Sequence, residues 1–550
     1  MDRPWQDKAY HPTARPLVPF TPPSPEDHGL LQRQLQVLST SIRREPYNFH
    51  RWLGRADILL KLGYPELALG DCYRAQILLS RRHPDNHVRN EGEWQGQLRS
   101  GIPSARDTQL QAQAHSSQKP DEQSDYEGPS VTLTEDDTPE CTLLEHFHRA
   151  FLQSNSLAHA LATCLRGMSR FPHHAYFQDT MPMTEWLCDR TRAQAVAEPQ
   201  RSRAEQHETQ WGGSVLMRAY PWMSEGVLWR DDDVVDVVRG QVERASGGRC
   251  TVRRRSRAEA DEDEDEDGLG MFAVREIEVG STILIDPSPV GTAKVWEGRC
   301  ECCYTPLPDR PARVNCCNTP FCSAKCADLA MATCHPAHCN RPNPVSPTQD
   351  ASSLLSADSL GRLQVLRRML AVIIHSGAAD PLLAPTIRHL KPQYRLSRPM
   401  YFNYHTNIII PFQILESLGI DIFSDTRFDT WVLHTIVLRL NNNQHGGDFG
   451  TEDKTMALSP LYSLFNHSCA PNVIYRNVRG GTTVEMVAER NVGFGQELCI
   501  SYLSDVGERP RAERQALMEA WIGGECQCDR CTGGTKGWMS SIVLPGPQTP

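Results

Sequence analysis

Three short strings late in the chain hold residue types that could do chemistry together: Asn466-His467-Ser468-Cys469, then Ser501-Tyr502, then Cys526-Gln527-Cys528-Asp529-Arg530-Cys531. They supply a polar turn, a tyrosine ending an apolar strand, and a C-x-C-x2-C cluster. The three cysteines of that cluster cannot close a tetrahedral zinc site, which takes four ligands when its role is structural. Cys469 is available as the fourth. A metal bound this way would pin the Asn-His turn beside the tyrosine strand and roof a polar pocket.

A second cysteine-rich block runs from Cys300 to Cys339. It contains Cys300-x2-Cys303, Cys322-x3-Cys326 and His335-x3-Cys339, with Cys316 and Cys317 side by side in between. Neighbouring side chains on an extended backbone point to opposite faces, so Cys316 and Cys317 can share a metal only across a tight turn. Cys334 and His338 are substitutes, and Cys302 is a spare. Of the 19 cysteines, Cys72, Cys141, Cys164, Cys188, Cys250 and Cys499 lie outside both clusters and are expected to be buried small hydrophobes. The stretch MDRPWQDKAYHPTARPLVPFTPP has no apolar signal core, and no segment reaches the ~18 apolar residues of a membrane span. An intracellular chain without membrane contact is expected, in nucleus and/or cytoplasm, where clustered thiols are metal ligands rather than disulfides.

Upstream, Gly268-Leu269-Gly270-Met-Phe-Ala-Val-Arg-Glu-Ile is followed by Val279-Gly280-Ser-Thr-Ile-Leu-Ile. Taken in order, these motifs resemble an opening SET hairpin, a MYND zinc finger, the C-terminal SET half and a post-SET zinc site. The match is to the SET and MYND (SMYD-like) protein-lysine methyltransferases, over roughly residues 248–534. The resemblance implies that S-adenosylmethionine is bound by the backbone at Gly268, Leu269 and Gly270 and by Asn466, His467 and Tyr502. Asn443 falls where the family has an Asn-x-Phe contact, with His445 in place of the Phe. Tyr502 would be the catalytic residue, orienting the lysine amine and the methyl. The resemblance further implies up to three zinc ions. Cys300, Cys303, Cys322 and Cys326 would hold one, Cys316, Cys317, His335 and Cys339 a second, and Cys469, Cys526, Cys528 and Cys531 a third. It also implies a protein substrate with an accessible lysine and a proline-containing peptide as a partner of the finger.

Methyl transfer to an amine is a displacement at a carbon that the cofactor activates, so the protein supplies alignment. Free lysine has a pKa near 10.4, which leaves about one neutral amine in a few thousand at pH 7. Burial in an apolar channel beside a cation lowers that pKa. Such a channel is the main thing the fold must build.

The elements that must position these groups form an α+β fold: SET-domain β-sheets, an inserted MYND finger, a helical insert, a post-SET zinc site and an N-terminal TPR-like α-helical region. Residues 1–26 are a disordered lead-in. Residues 27–82 show helical spacing at Leu30, Leu31, Leu35 and Leu38, then small residues at Ala56, Gly63, Ala68 and Ala75 that let paired helices approach, as in a tetratricopeptide unit. Residues 83–140 have a linker composition, and residues 141–212 hold a second helical pair with Ala150, Ala158 and Ala162. The SET N-terminal half is placed at 248–299, with an acidic insertion at 261–267 after Arg253–Arg257 that is expected to stay solvated, nuclear import being the other role open to the basic cluster. The finger follows at 300–339, a linker at 340–357, the helical insert at 358–440, the second SET half at 441–505, the post-SET segment at 506–534 and a tail at 535–550.

The net charge of −10 argues against direct nucleic-acid binding and suits basic protein substrates. A second function class remains open: a catalytically inactive TPR/MYND protein-interaction scaffold.

Overall fold

The computed structural model describes residues 21–82, 138–195, 203–255, 268–294, 296–345, 355–392, 394–446, 454–503, 505–522 and 524–533. The expected linker at 83–140 and tail at 535–550 lie almost wholly outside the described residues, and so does the acidic run 261–267. Helices and small sheets both occur, as an α+β chain requires. The chain divides into two compact units, residues 1–223, 334–382 and 394–438 in one and 224–333, 383–393 and 439–550 in the other.

The first unit is helical. Helix α1 (Pro25–Arg44) starts where the Ser24 side chain accepts from the Asp27 backbone N–H, with proline in the first turn where no N–H is missed. α2 (Phe49–Lys61) and α3 (Pro65–Arg82) form a hairpin. Ala56, Ala68 and Ala75 are fully buried between helices, as their size suggests. Gly63 contributes differently, since its φ of 77° makes the turn between α2 and α3. The hairpin also encloses a charged knot. Arg55 bonds Asp71 at 2.7 Å and Asp429 at 2.8 Å, while Arg74 donates to the Ile422 carbonyl at 2.8 Å. α4 (Pro139–Gln153), α5 (Leu157–Arg170) and α6 (Ala175–Ala195) complete the N-terminal layer. The helices Ala357–Ser376 and Thr430–Asn443 lie at the two ends of the expected helical insert at 358–440. Between them runs a strand, Arg395–Asn403, paired antiparallel with Gly212–Met217.

The second unit holds the other small sheets. Helix α7 (Asp232–Ser246) is capped by Asp231, ends at Gly247 in the left-handed region, and buries Val234, Val235, Val238 and Val242. Strand β1 (Cys250–Arg254) pairs with β2 (Leu269–Ala273). The expected hairpin between the Gly268 and Val279 segments does not form. β3 (Thr282–Asp286) pairs instead with β8 (Val484–Ala488), which also pairs with β7 (Val473–Asn477). The reason is burial: all of β2 is buried and both its edges are occupied, with Phe272 also bridging Glu497. β4 (Val290–Ala293) pairs with β5 (Thr455–Leu458). β6 (Asn466–His467) lies parallel to β9 (Cys499–Ile500). The shared core includes Met271, Ile283, Phe465, Val473, Met486, Leu498 and Ile500, with Tyr502 packed at its edge.

Candidate active site and metal centres

β6 and β9 are only two residues each, and a parallel pair that short is held by what surrounds it. Asn466 bridges three strands' worth of chain. Its amide donates to the Leu269 carbonyl at 2.9 Å and to Glu497 Oε1 at 2.8 Å. A Cβ added at Gly270 would stand 2.6 Å from that same Glu497 oxygen and 2.8 Å from the Phe272 ring, so a larger residue would push both aside. Leu269 and Gly270 therefore sit directly beside Asn466. Glu497 escaped sequence reasoning. Its one signal is an acidic residue just past the Gly495 turn, in a segment that otherwise turns apolar.

His467 fixes the tyrosine. Its Nδ1 accepts from the Tyr502 backbone N–H at 3.0 Å, and its Nε2 faces Cys469 Sγ at 3.2 Å. An acceptor at Nδ1 places the proton on Nε2, which then donates to sulfur. Burial pulls the His467 pKa down to about 4, so the ring is neutral at physiological pH. Tyr502 lies two residues beyond the last paired residue of β9. Its hydroxyl donates to the Phe465 carbonyl at 2.9 Å. The hydroxyl proton is thus committed, and the oxygen presents lone pairs.

Aromatic rings gather nearby on the same unit. Tyr462 lies 4.7 Å from His445 and 4.9 Å from Tyr475 by ring centroids, and the negative charge of an ionised Tyr502 or Tyr475 would raise the Tyr462 pKa beyond what burial already does. His445 is buried, held by Ser459 Oγ at 2.8 Å, and pulled down to about 4 by burial. Asn443 closes its helix with its amide donating to the carbonyls of Arg439 at 2.7 Å and Lys391 at 3.0 Å. Tyr462 and Tyr475 were not singled out from sequence. Only the fold brings them together.

The four thiols of Cys469, Cys526, Cys528 and Cys531 converge. Cys469 Sγ lies 3.9 Å from Cys526 Sγ and 3.6 Å from Cys531 Sγ. Zinc–sulfur bonds of about 2.3 Å set a tetrahedral edge of about 3.8 Å, so the donor set fits zinc. Neighbours orient it: Arg514 points a guanidinium N–H at Cys531 Sγ (3.6 Å), Gln515 exchanges two bonds with the Cys526 backbone, and Arg530 donates to the Cys469 carbonyl. Such outer partners set ligand orientation in metal sites.

In the finger, Cys300, Cys303, Cys322 and Cys326 also converge, with Cys322 Sγ 3.6 Å from Cys303 and 3.5 Å from Cys326. The same edge length fits here. Cys316 and Cys317 sit in the turn between the two-residue strands Ala312–Arg313 and Pro320–Phe321, with their sulfurs 4.0 Å apart. The turn overcomes the opposite-face problem of adjacent residues. His335 and Cys339 bracket the one-turn helix His335–His338, with the Cys339 N–H bonded to the His335 carbonyl at 2.8 Å.

Residues 268–503 match the SET domain family model. This portion is a SET domain; the match runs from Gly268 to just after Tyr502, inside the span expected to open at 248 and close at 505. Among curated proteins, the chain is 33% identical over 106 residues to N-lysine methyltransferase SMYD2-B of Danio rerio, covering 18% of this chain and 23% of that protein. It is 41% identical over 69 residues to a SET and MYND domain-containing protein of Dictyostelium discoideum, covering 12% and 13% of the two chains. A Saccharomyces cerevisiae protein named potential protein lysine methyltransferase SET6 is 36% identical over 73 residues, 13% of this chain and 18% of its own. The match to each of these three spans less than a quarter of that relative's length. Over the matched residues the chain is similar to SMYD-like SET proteins.

Proposed function

We propose that the chain is an S-adenosylmethionine-dependent protein-lysine N-methyltransferase. The observation that carries this reading is Tyr502. Its backbone is fixed by His467, whose ring centroid stands 5.3 Å from its own, and its hydroxyl is anchored on Phe465. S-adenosylmethionine, when bound, supplies a methyl group activated by a sulfonium. The residues proposed to hold it are Gly268, Leu269 and Gly270 through their backbone, with Asn466, His467 and Tyr502 alongside. Asn443 completes the set; like Asn466, it spends its amide on groups of this chain and keeps its side-chain oxygen as an acceptor. A hydroxyl whose proton is already donated can accept from the substrate amine, so Tyr502 aims the nitrogen lone pair rather than removing a proton. Tyr462, Tyr475 and His445 line the approach and strip water from the lysine stem, which favours the neutral amine.

Zinc is proposed at the post-SET and first finger sets, with Cys316, Cys317, His335 and Cys339 as a third set. The substrate is a protein with an accessible lysine, and the finger takes a proline-containing peptide. The test incubates purified protein with methyl-labelled S-adenosylmethionine and a cell lysate, beside Tyr502→Phe. Labelled lysine in the wild type and a ~100-fold drop in the variant, at unchanged zinc content, is expected from lost positioning. No label in either arm, with measurable cofactor binding, would point to the interaction-scaffold reading instead.

A further inference from the structure

We propose that Cys141, Glu145 and His174 form a zinc site in the helical unit, separate from the finger and the post-SET cluster. Cys141 and Glu145 stand one turn apart on α4, so they share a face. His174 lies just before the first residue of α6, fixed there by its N–H to the Phe171 carbonyl at 3.1 Å. The three ligand atoms all fall within 4.8 Å of one another.

Distances favour a metal over coincidence. Glu145 Oε1 and His174 Nε2 are 3.2 Å apart. Zinc bonds of about 2.0–2.2 Å to imidazole nitrogen and carboxylate oxygen set a tetrahedral edge of about 3.4 Å. The pair is thus already at ligand spacing, and the thiol closes the third corner by a small side-chain rotation. A hydrogen-bonded Glu145–His174 pair needs no sulfur beside it. The thiolate is the soft donor that, with imidazole, selects zinc over magnesium or calcium.

Burial gives the site a floor and an opening. Cys141 is 1% exposed, whereas the Glu145 and His174 side chains are 26% and 14% exposed. Three protein ligands leave the fourth position facing that opening, where water completes the tetrahedron. The ion would clamp α4 to the start of α6, across the intervening α5. Cys141 is therefore a metal ligand rather than the inert buried thiol expected from its isolation in sequence.

The test uses full-length protein equilibrated in buffered zinc, then freed of unbound metal and measured for zinc per chain. Wild type is compared with Cys141→Ser, Glu145→Gln and His174→Gln, with circular dichroism as a folding control. One zinc fewer per chain in each variant is expected, together with a smaller zinc-dependent rise in melting temperature than wild type gives. Equal zinc content in wild type and variants overturns the site, even if the variants melt lower, because lower melting alone is what a simple hydrogen-bonded pair would give. Should Cys141→Ser fail to fold, the two part-exposed positions decide the question by the same count.

Discussion

Asp286 shows how much one buried group can reveal. It is 3% exposed at the end of β3 and accepts from the Leu461 and Tyr462 backbone N–H groups at 2.8 and 2.9 Å, where it starts the turn carrying Tyr462. Burial outweighs those two donors and pushes its pKa up to about 7. The unfolded carboxyl titrates near 3.9. Between these values the folded state keeps a proton that the unfolded state has released. This contribution is full below about pH 4 and is lost as pH rises toward 7. Asp286→Asn keeps an acceptor for both N–H groups and removes the titration. Relative to that variant, the wild type should lose up to about 3 kcal/mol between pH 5 and 7 in urea unfolding. Parallel curves for the two proteins would show an unperturbed carboxyl. At the same scale, the Tyr502→Phe result separates orientation from folding, since the ring's packing survives loss of the oxygen.

At the scale of elements, close approach is bought with glycine. A Cβ at Gly167 on α5 would stand 2.5 Å from the Phe177 ring of α6. Gly167→Ala is expected to destabilise by about 1–3 kcal/mol through overpacking. Adding Phe177→Leu should recover part of that loss, and a double-mutant cycle by denaturant unfolding measures the coupling. No recovery would mean the helices separate rather than repack. The post-SET cluster offers a second test. Cys528→Ser should remove one zinc and the metal's hold on Cys469, two residues from His467. Methyl transfer should fall with zinc content as the Tyr502 backbone loses its acceptor, while the finger's zinc stays.

For the whole molecule, five buried histidines among the described residues, besides His467 at the site, shape the response to acid. Burial pulls His148, His389, His405 and His445 down to about 4 and His159 to about 3. Their unfolded value is about 6.5. The stability they confer is complete above that pH and is lost as pH falls through the folded values. Each adds at most ~1.4 kcal/mol per pH unit, so five outweigh the opposite slope of Asp286. Thermal melts should therefore drop steeply from pH 6.5 to 4.5. A flat series would mean these rings are protonated in the folded state. No described helix is long and apolar enough to cross a membrane.

The sequence alone singled out the two groups of four thiols that the fold brings together, and several of the local helices. Cysteine spacing is set by metal geometry, and apolar periodicity reflects which face a helix buries. Asn466, His467 and Tyr502 were legible for the same reason: they belong to strings whose order along the chain is itself informative. Tertiary structure alone decided that β2 and β3 do not pair, that Glu497 takes the Asn466 amide, and that Tyr462, Tyr475 and His445 meet. It also set Cys141 beside His174 and put Cys316 and Cys317 on one side of a turn. Each of these depends on residues distant in sequence, or on a turn whose direction spacing does not encode. Local patterns record what a residue needs, but the packed chain chooses which neighbour provides it.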